Sequence, residues 1–410
     1  MNLGRQLRMR GPRHYPKDTI INFRALERWE INLYKKSQCR RRKKQITHGV
    51  SQIVAYHDAL VAAWSFSVCA VILVLAKFFP THLAKDNQLR AVQAMHIRST
   101  PRIGGLSIFI SLAATLPFAP VAISEPYRDF IIATGVLFIV GLAEDLGLGV
   151  RPRWRLLAAV VSSLLVVLFL GVWMPRAGIP GFDALMAFWW IGIPITLLVT
   201  VGIANGFNLI DGVNGLAALT AITAAAAQAM IADAADYQTM VHLTTMLIAG
   251  IFGFLVWNYP FGRIFLGDAG AYTLGFVLSW FAISIMLNAP AASPWALLLT
   301  LFWPVADTLL AIWRRMHRKA PTMAPDRLHI HQLVMRALEI HVLGRGRRQI
   351  ANPLTTVILA PFVIAPPTVG VLLWDNNQGA FLAVVTFAGL FFGSYIQSFT
   401  VLSRKPRHAA

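Results

Sequence analysis

The sequence predicts an all-α, polytopic integral membrane protein whose site faces one side of the bilayer. Three observations predict it. The 410 residues are 56% hydrophobic and only 13% charged, with a mean hydropathy of +0.59, whereas soluble domains carry about 25% charged residues. The apolar residues fall in runs long enough to cross a bilayer, a length of ~18 or more. The few charges are sorted, basic residues into alternate loops and acids onto the ends of the runs.

About eleven runs are predicted as spans, at roughly 58–79, 104–123, 127–143, 156–174, 184–204, 214–233, 240–258, 269–287, 293–313, 353–374 and 380–402. They are continuously apolar rather than alternating, which favours helices over barrel strands. Several contain Gly or Pro, which membrane helices tolerate. The expected organisation is a basic N-terminal extension over 1–57, a catalytic membrane domain over 58–403 with a polar loop at 314–352, and a short basic tail at 404–410. The N-terminus lacks a cleavable-signal pattern. Two cysteines, Cys39 and Cys69, give no disulfide framework and no CxxC.

The net charge of +19 raises the question of nucleic acid, and its placement answers it. Lys77, Lys85, Arg90, Arg98 and Arg102 follow the first run, Arg151, Arg153 and Arg155 follow the third, and Arg263 follows the seventh. The segment 314–352 holds nine basic residues, and Arg404, Lys405 and Arg407 end the chain. The intervening loops hold little beyond Arg128 and Arg176. This is positive-inside patterning, which puts the basic loops in the cytosol and makes a bilayer, not a nucleic acid, the partner. Residues 1–57 disobey it: they hold fourteen Lys or Arg, yet an odd span count with a cytosolic C-terminus places them outside. They read as a disordered basic tail or an early start codon, with a membrane-surface or partner-binding role as the other reading.

The chain has eighteen Asp and Glu, so each position carries information. Glu144 and Asp145 end the third run, Asp211 follows the fifth, Asp268 follows the seventh, and His329 lies in the loop after the ninth. Two runs separate each of these from the next, so all share one membrane face, whichever face that is. Carboxylates at span ends are costly and default to a functional hypothesis; four loops repeating the pattern outweigh the bland alternative of isolated acids reaching water or a nearby arginine.

The local sequences sharpen this. Asn208, Asp211 and Asn214 are spaced i, i+3, i+6, which on a helical turn gathers short polar side chains. In Phe265-Leu-Gly267-Asp268-Ala-Gly270 small residues flank one carboxylate, with an aromatic ring three residues earlier. Such a site suits a hard cation, since magnesium is usually held by one or two carboxylates with substrate phosphates completing the shell. Asp326-Arg327-Leu-His329-Ile-His331 supplies a His pair in a basic loop, with no further ligand at zinc spacing. His96 to Gly105, containing Arg102, supplies cations and a Gly pair suited to phosphate.

In that order the motifs His96–Gly105, Gly141–Asp145, Asn205–Leu216, Phe265–Gly275, Pro304–Asp307 and Asp326–His331 resemble the polyprenyl-phosphate N-acetylhexosamine-1-phosphate transferases. These are membrane enzymes of glycosyl transferase family 4, related to the phospho-N-acetylmuramoyl-pentapeptide transferases that make lipid I. The resemblance implies transfer of N-acetylhexosamine-1-phosphate, most simply GlcNAc-1-phosphate, from a UDP-sugar to undecaprenyl phosphate with release of UMP, at the cytosolic face of a bacterial inner membrane. It implies Mg²⁺, with Mn²⁺ as an alternative, on Asp268 and Asp145. Catalytic roles fall to Glu144, Asp145, Asp211, His329 and His331. Substrate contacts fall to His96, Arg102, Asn208, Asn214, Phe265 and Arg327, with Phe265 stacking on uracil; a homodimer is left open.

Three positions depart from the family pattern: Glu144 stands where Asp is usual, Asn214 where many members have Asp, and Gln332 where a further His is usual. Asp307 matches the family's Pro-x-x-Asp element, and an ion pair with Arg314 or Arg315 is an equally good reading of it. Two rival functions are weighed. Lipid I synthesis is disfavoured by Asp326-Arg-Leu-His-Ile-His in place of a triple-His run. A transporter is disfavoured because no inverted internal repeat is apparent.

Overall fold

The computed structural model describes residues 57–78, 100–119, 123–318, 328–344 and 346–403. Of the positions that the sequence singles out, His96, Arg327, Asp326, Cys39 and nearly all of the basic N-terminal segment lie outside these residues, as does the tail from 404. The described residues form helices and no strands.

Fourteen α-helices are labelled here in chain order. They are α1 (His57–Phe78), α2 (Gly105–Ala114), α3 (Ser124–Asp145), α4 (Pro152–Leu170), α5 (Phe182–Met186), α6 (Trp189–Ile210) and α7 (Leu216–Ala234). There follow α8 (Gln238–Asn258), α9 (Gly267–Asn288), α10 (Pro294–Thr300), α11 (Phe302–Arg318), α12 (Ile330–Leu338), α13 (Arg348–Leu372) and α14 (Asn377–Ser403). Among the described residues nine helices are long and apolar enough to cross a membrane, and α10 with α11 makes a tenth span bent by 84°.

The expected eleventh span, 104–123, is corrected. Its helix α2 has ten residues, about 15 Å at 1.5 Å per residue, half a hydrocarbon core. Pro117 follows within a 3₁₀ turn, Leu116–Phe118, and the α-helix has ended by Thr115, as expected before a residue that cannot donate to an i−4 carbonyl. Thr115 at the end of α2 bonds Tyr127 in the first turn of α3 across 2.7 Å, so the short helix still points at the face where α3 begins.

The core is built around α9, whose residues Gly267 to Ile283 are all buried. Small residues let neighbours approach. A Cβ on Gly105 of α2 would meet the Gly270 backbone, one on Gly141 of α3 would lie 2.6 Å from Ala269 Cα, and one on Gly275 would lie 2.7 Å from Ala204 Cα of α6. In lipid, where apolar contact with a neighbour gains little over contact with acyl chains, such close backbone packing is a main source of helix association.

Helix α1 runs parallel to α8: Gly253 abuts the Ala62 carbonyl, and Trp257 Nε1 donates to the Phe66 carbonyl at 3.1 Å. It therefore enters from the face opposite the ends of α3 and α6. At that opposite face Arg176 donates to the Met286, Ala289, Pro290 and Ala292 carbonyls, closing the open end of α9. The cysteine within the described residues, Cys69, is free and buried.

Candidate active site

The acids meet where α3 and α6 end and α9 begins. Asp145, the last residue of α3, accepts the Asp268 and Ala269 amides at 2.8 and 2.9 Å. These are two of the four amides that a helix leaves unpaired at its N-terminus, so Asp145 caps α9 from 123 residues away in sequence. Gly267 makes the approach feasible. Its φ is +76°, and a Cβ there would collide with the Arg102 carbonyl and Asp145, so glycine is required both for the conformation and for the space.

Asp268 lies in the first turn of α9 and is buried. Its carboxylate is held between two guanidiniums, Arg155 on Oδ2 and Arg102 on Oδ1 at 3.7 Å. Glu144 is half-buried and its Oε2 is buried with no hydrogen-bond partner. Asp211 ends α6 as its C-cap. Burial pushes its carboxyl up to about 6, against the opposing pull of Arg102 and the Gly267 amide. Four acids and two arginines thus share one face, as span parity predicts.

The cradle holding Arg102 is backbone-built: Phe265 N donates to the Pro101 carbonyl, Gly104 N to the Phe265 carbonyl and Gly105 N to the Leu266 carbonyl, each at 2.8 Å. Phe265 is thereby fixed beside Arg102, half-buried at the mouth of the cluster.

The Asn208–Asp211–Asn214 trio is split by the end of α6. Asn208 lies in its last turn, Asp211 caps it, and Asn214 belongs to the turn before α7, which Gly215 permits with φ +80°. The three are not on one helical face, because two glycines follow Asp211 within four residues and the helix ends. Asn214 is tied into the protein: its amide donates to Asn352 Oδ1 at 2.8 Å, its Nδ2 to the Pro260 carbonyl at 2.9 Å, and its carbonyl accepts Thr356 Oγ1 at 2.6 Å. Asn258 adds a bond to Gly215 N at 2.7 Å. The turn is therefore pinned to α8 and α13.

The histidines are enclosed. His329 precedes α12 as its N-cap residue and makes a 2.6 Å bond through Nδ1 to Asp307 Oδ2, both side chains being almost wholly buried. His331 stacks on His329 with centroids 5.7 Å apart and planes 16° apart, and its ring abuts Gly212. Burial pushes the His331 ring well below its ordinary 6.5, to about 3, with His329 adding to the effect and Asp307 opposing it. Asp307 thus bonds His329, a partner that neither reading of it from the sequence names.

The sequence motifs miss Arg155. It stands in the first turn of α4, a basic residue where the helix dipole disfavours one, and that misplacement is the signal that could have found it. Asn258 and Asn352, buried polar residues within spans, give a similar signal.

Among the described residues no three His, Cys, Asp or Glu side chains converge as a complete metal site. The donor set nonetheless fits a hard cation that takes part of its shell from phosphate: Asp268 and Asp145, brought together where Asp145 accepts the Asp268 amide, supply the carboxylates, and the rest of the shell would be ligand.

With this geometry in hand, residues 128–286 match the model of glycosyl transferase family 4. The chain is 28% identical over 247 residues to a probable undecaprenyl-phosphate N-acetylglucosaminyl 1-phosphate transferase of Bacillus subtilis, covering 59% of this chain and 67% of the relative. It is 29% identical over 277 residues to a decaprenyl-phosphate N-acetylglucosaminephosphotransferase of Mycobacterium tuberculosis, covering 60% and 68%. It is 28% identical over 248 residues to an undecaprenyl-phosphate alpha-N-acetylglucosaminyl 1-phosphate transferase of Escherichia coli, covering 58% and 65%. The matched segment runs from Arg128 in α3 to the last turn of α9, so it contains Glu144, Asp145, Asp211 and Asp268.

Proposed function

We propose that the protein transfers N-acetylglucosamine-1-phosphate from UDP-N-acetylglucosamine to undecaprenyl phosphate, at the cytosolic face of a bacterial inner membrane, as the first membrane step of a cell-surface polysaccharide. The observation that carries this is the junction of α3, α6 and α9, where four carboxylates of the matched segment meet Arg155 and Arg102. The activities for which the relatives are named supply the substrate class.

The reaction is an exchange at phosphorus. A phosphate oxygen of the polyprenyl phosphate bonds to the β-phosphorus of the UDP-sugar, the bond from that phosphorus to the bridging oxygen breaks, and UMP leaves with the electron pair. Little covalent help is needed; positioning and charge neutralisation dominate phosphoryl transfer. Arg102 and Arg155, now paired with Asp268, are placed to meet phosphate oxygens. Glu144, with its unpartnered oxygen, is the candidate to take a proton from the attacking phosphate. Asp211 and Asn208 border the nucleotide side, and Phe265 offers a ring to uracil. Asp145 orders the first turn of α9 so that Asp268 faces the arginines. A Mg²⁺ ion held by Asp268, with Asp145 as the second carboxylate, would act as Lewis acid and template for the diphosphate.

The test is product identity. Purified protein is incubated with undecaprenyl phosphate and a panel of UDP-sugars, with and without Mg²⁺, and the lipid fraction is read by mass spectrometry. Undecaprenyl-diphosphate-N-acetylglucosamine formed only with the cation supports the reading. The muramoyl-pentapeptide product alone would replace it with lipid I synthesis.

A further inference from the structure

Asp307 belongs to none of the roles above, and its setting is specific. It sits in the first half of α11, buried with 1% exposure, and its Oδ2 meets His329 Nδ1 at 2.6 Å. A carboxylate on Nδ1 fixes the ring's orientation and holds the proton on that nitrogen. The contacts continue: His329 stacks on His331, and His331 presses on Gly212, the residue after Asp211, where a Cβ would collide with its Nε2. Helix α11 is itself seated against α6, since a Cβ on Gly206 would lie 2.8 Å from both the Pro304 carbonyl and Thr308 Oγ1. A closed circuit results, from α6 to α11, through the two rings of α12, and back to the turn that leaves α6.

We propose that Asp307 is a positioning residue for the nucleotide side of the site: through His329 and His331 it holds the 211–215 turn in register with Asp268. The end of that turn, at Asn214 and Gly215, is already pinned by Asn352 and Asn258, so the imidazole stack supplies the support at its start, Gly212. His331 is the contact and Asp307 the anchor. This rests on the transferase reading, in which Asp211 borders the nucleotide.

The experiment measures KM separately for UDP-N-acetylglucosamine and for undecaprenyl phosphate, in wild type, Asp307→Asn, His329→Asn and the double variant, alongside UMP binding by calorimetry. Loss of a hydrogen bond to a charged group predicts a rise in nucleotide-sugar KM on the order of tenfold, matched by weaker UMP binding. The KM for the lipid phosphate stays put, and the double variant is no worse than the poorer single, because both substitutions break one chain. Asp307→Glu restores part of the loss by keeping the carboxylate. Equal rises in both KM values, no change in either, or additive single effects overturn the proposal. If Asp307→Asn does not fold, His329→Asn, whose Nδ2 still reaches Asp307 while the stack is lost, must show the same nucleotide-selective shift or the proposal fails. A wild-type protein that releases no UMP from any UDP-sugar sinks the transferase reading instead, and UMP binding then reads the Asp307 chain alone.

Discussion

His331 shows how burial sets the behaviour of a single side chain. Its ring is closed off by His329 and the Gly212 turn, and desolvation holds it neutral down to about pH 3. The sign of the consequence follows from proton counting. Below the ordinary value of 6.5 the unfolded chain binds a proton that the folded protein refuses, so stability falls with pH between about 6.5 and 3. His331→Gln removes that proton, and the unfolding midpoint in detergent should decline less steeply from pH 7 to pH 5 than in wild type; parallel slopes would contradict the assignment. At this scale the sequence is partly legible. Eighteen acids in 410 residues make Glu144, Asp145, Asp211 and Asp268 conspicuous. That Asp145 caps α9, that Arg155 closes on Asp268 and that Asp307 takes His329 are not legible, because each is a contact between helices far apart in sequence, and side-chain spacing speaks only of neighbours within one element.

Elements are legible where length and hydropathy agree and illegible where proline intervenes. The run 104–123 is apolar enough to span, yet the helix has given way to a 3₁₀ turn where Pro117 stands, and α2 covers only about half the core. The four prolines inside α13 leave it continuous, as membrane helices allow. Close contact between elements depends on α9 and its glycine neighbours. Gly141→Ala would place a methyl 2.6 Å from Ala269 Cα, against backbone that cannot rotate away. The expected cost is about 1–3 kcal/mol of overpacking, seen as a lower unfolding midpoint, with UMP release lost in step because Asp145 lies one helical turn further along α3. A midpoint unchanged by this substitution would mean that α3 and α9 are not packed as described.

For the whole molecule, alternation of spans is the organising fact. It brings α3, α6, α9 and α12 to one face at the expected ends and leaves Arg176 and the start of α1 at the other. The basic residues Arg151, Arg153 and Arg263 share the acid face, so positive-inside patterning predicts that this face is cytosolic. Cysteine substituted at Arg153 should be labelled by an impermeant maleimide only after the membrane is opened from the cytosolic side. Cysteine at Ala234, exposed at the end of α7, should be labelled in intact cells; the reverse pattern would invert the topology while keeping the acids together.

The acids proposed to form one phosphotransfer site are tested most directly at Asp268. UMP release from UDP-N-acetylglucosamine should require both undecaprenyl phosphate and Mg²⁺ in the wild-type protein. It should fall by roughly a hundredfold or more in Asp268→Asn, with the unfolding midpoint retained. Release at the wild-type rate from Asp268→Asn, at every Mg²⁺ concentration, would contradict the account.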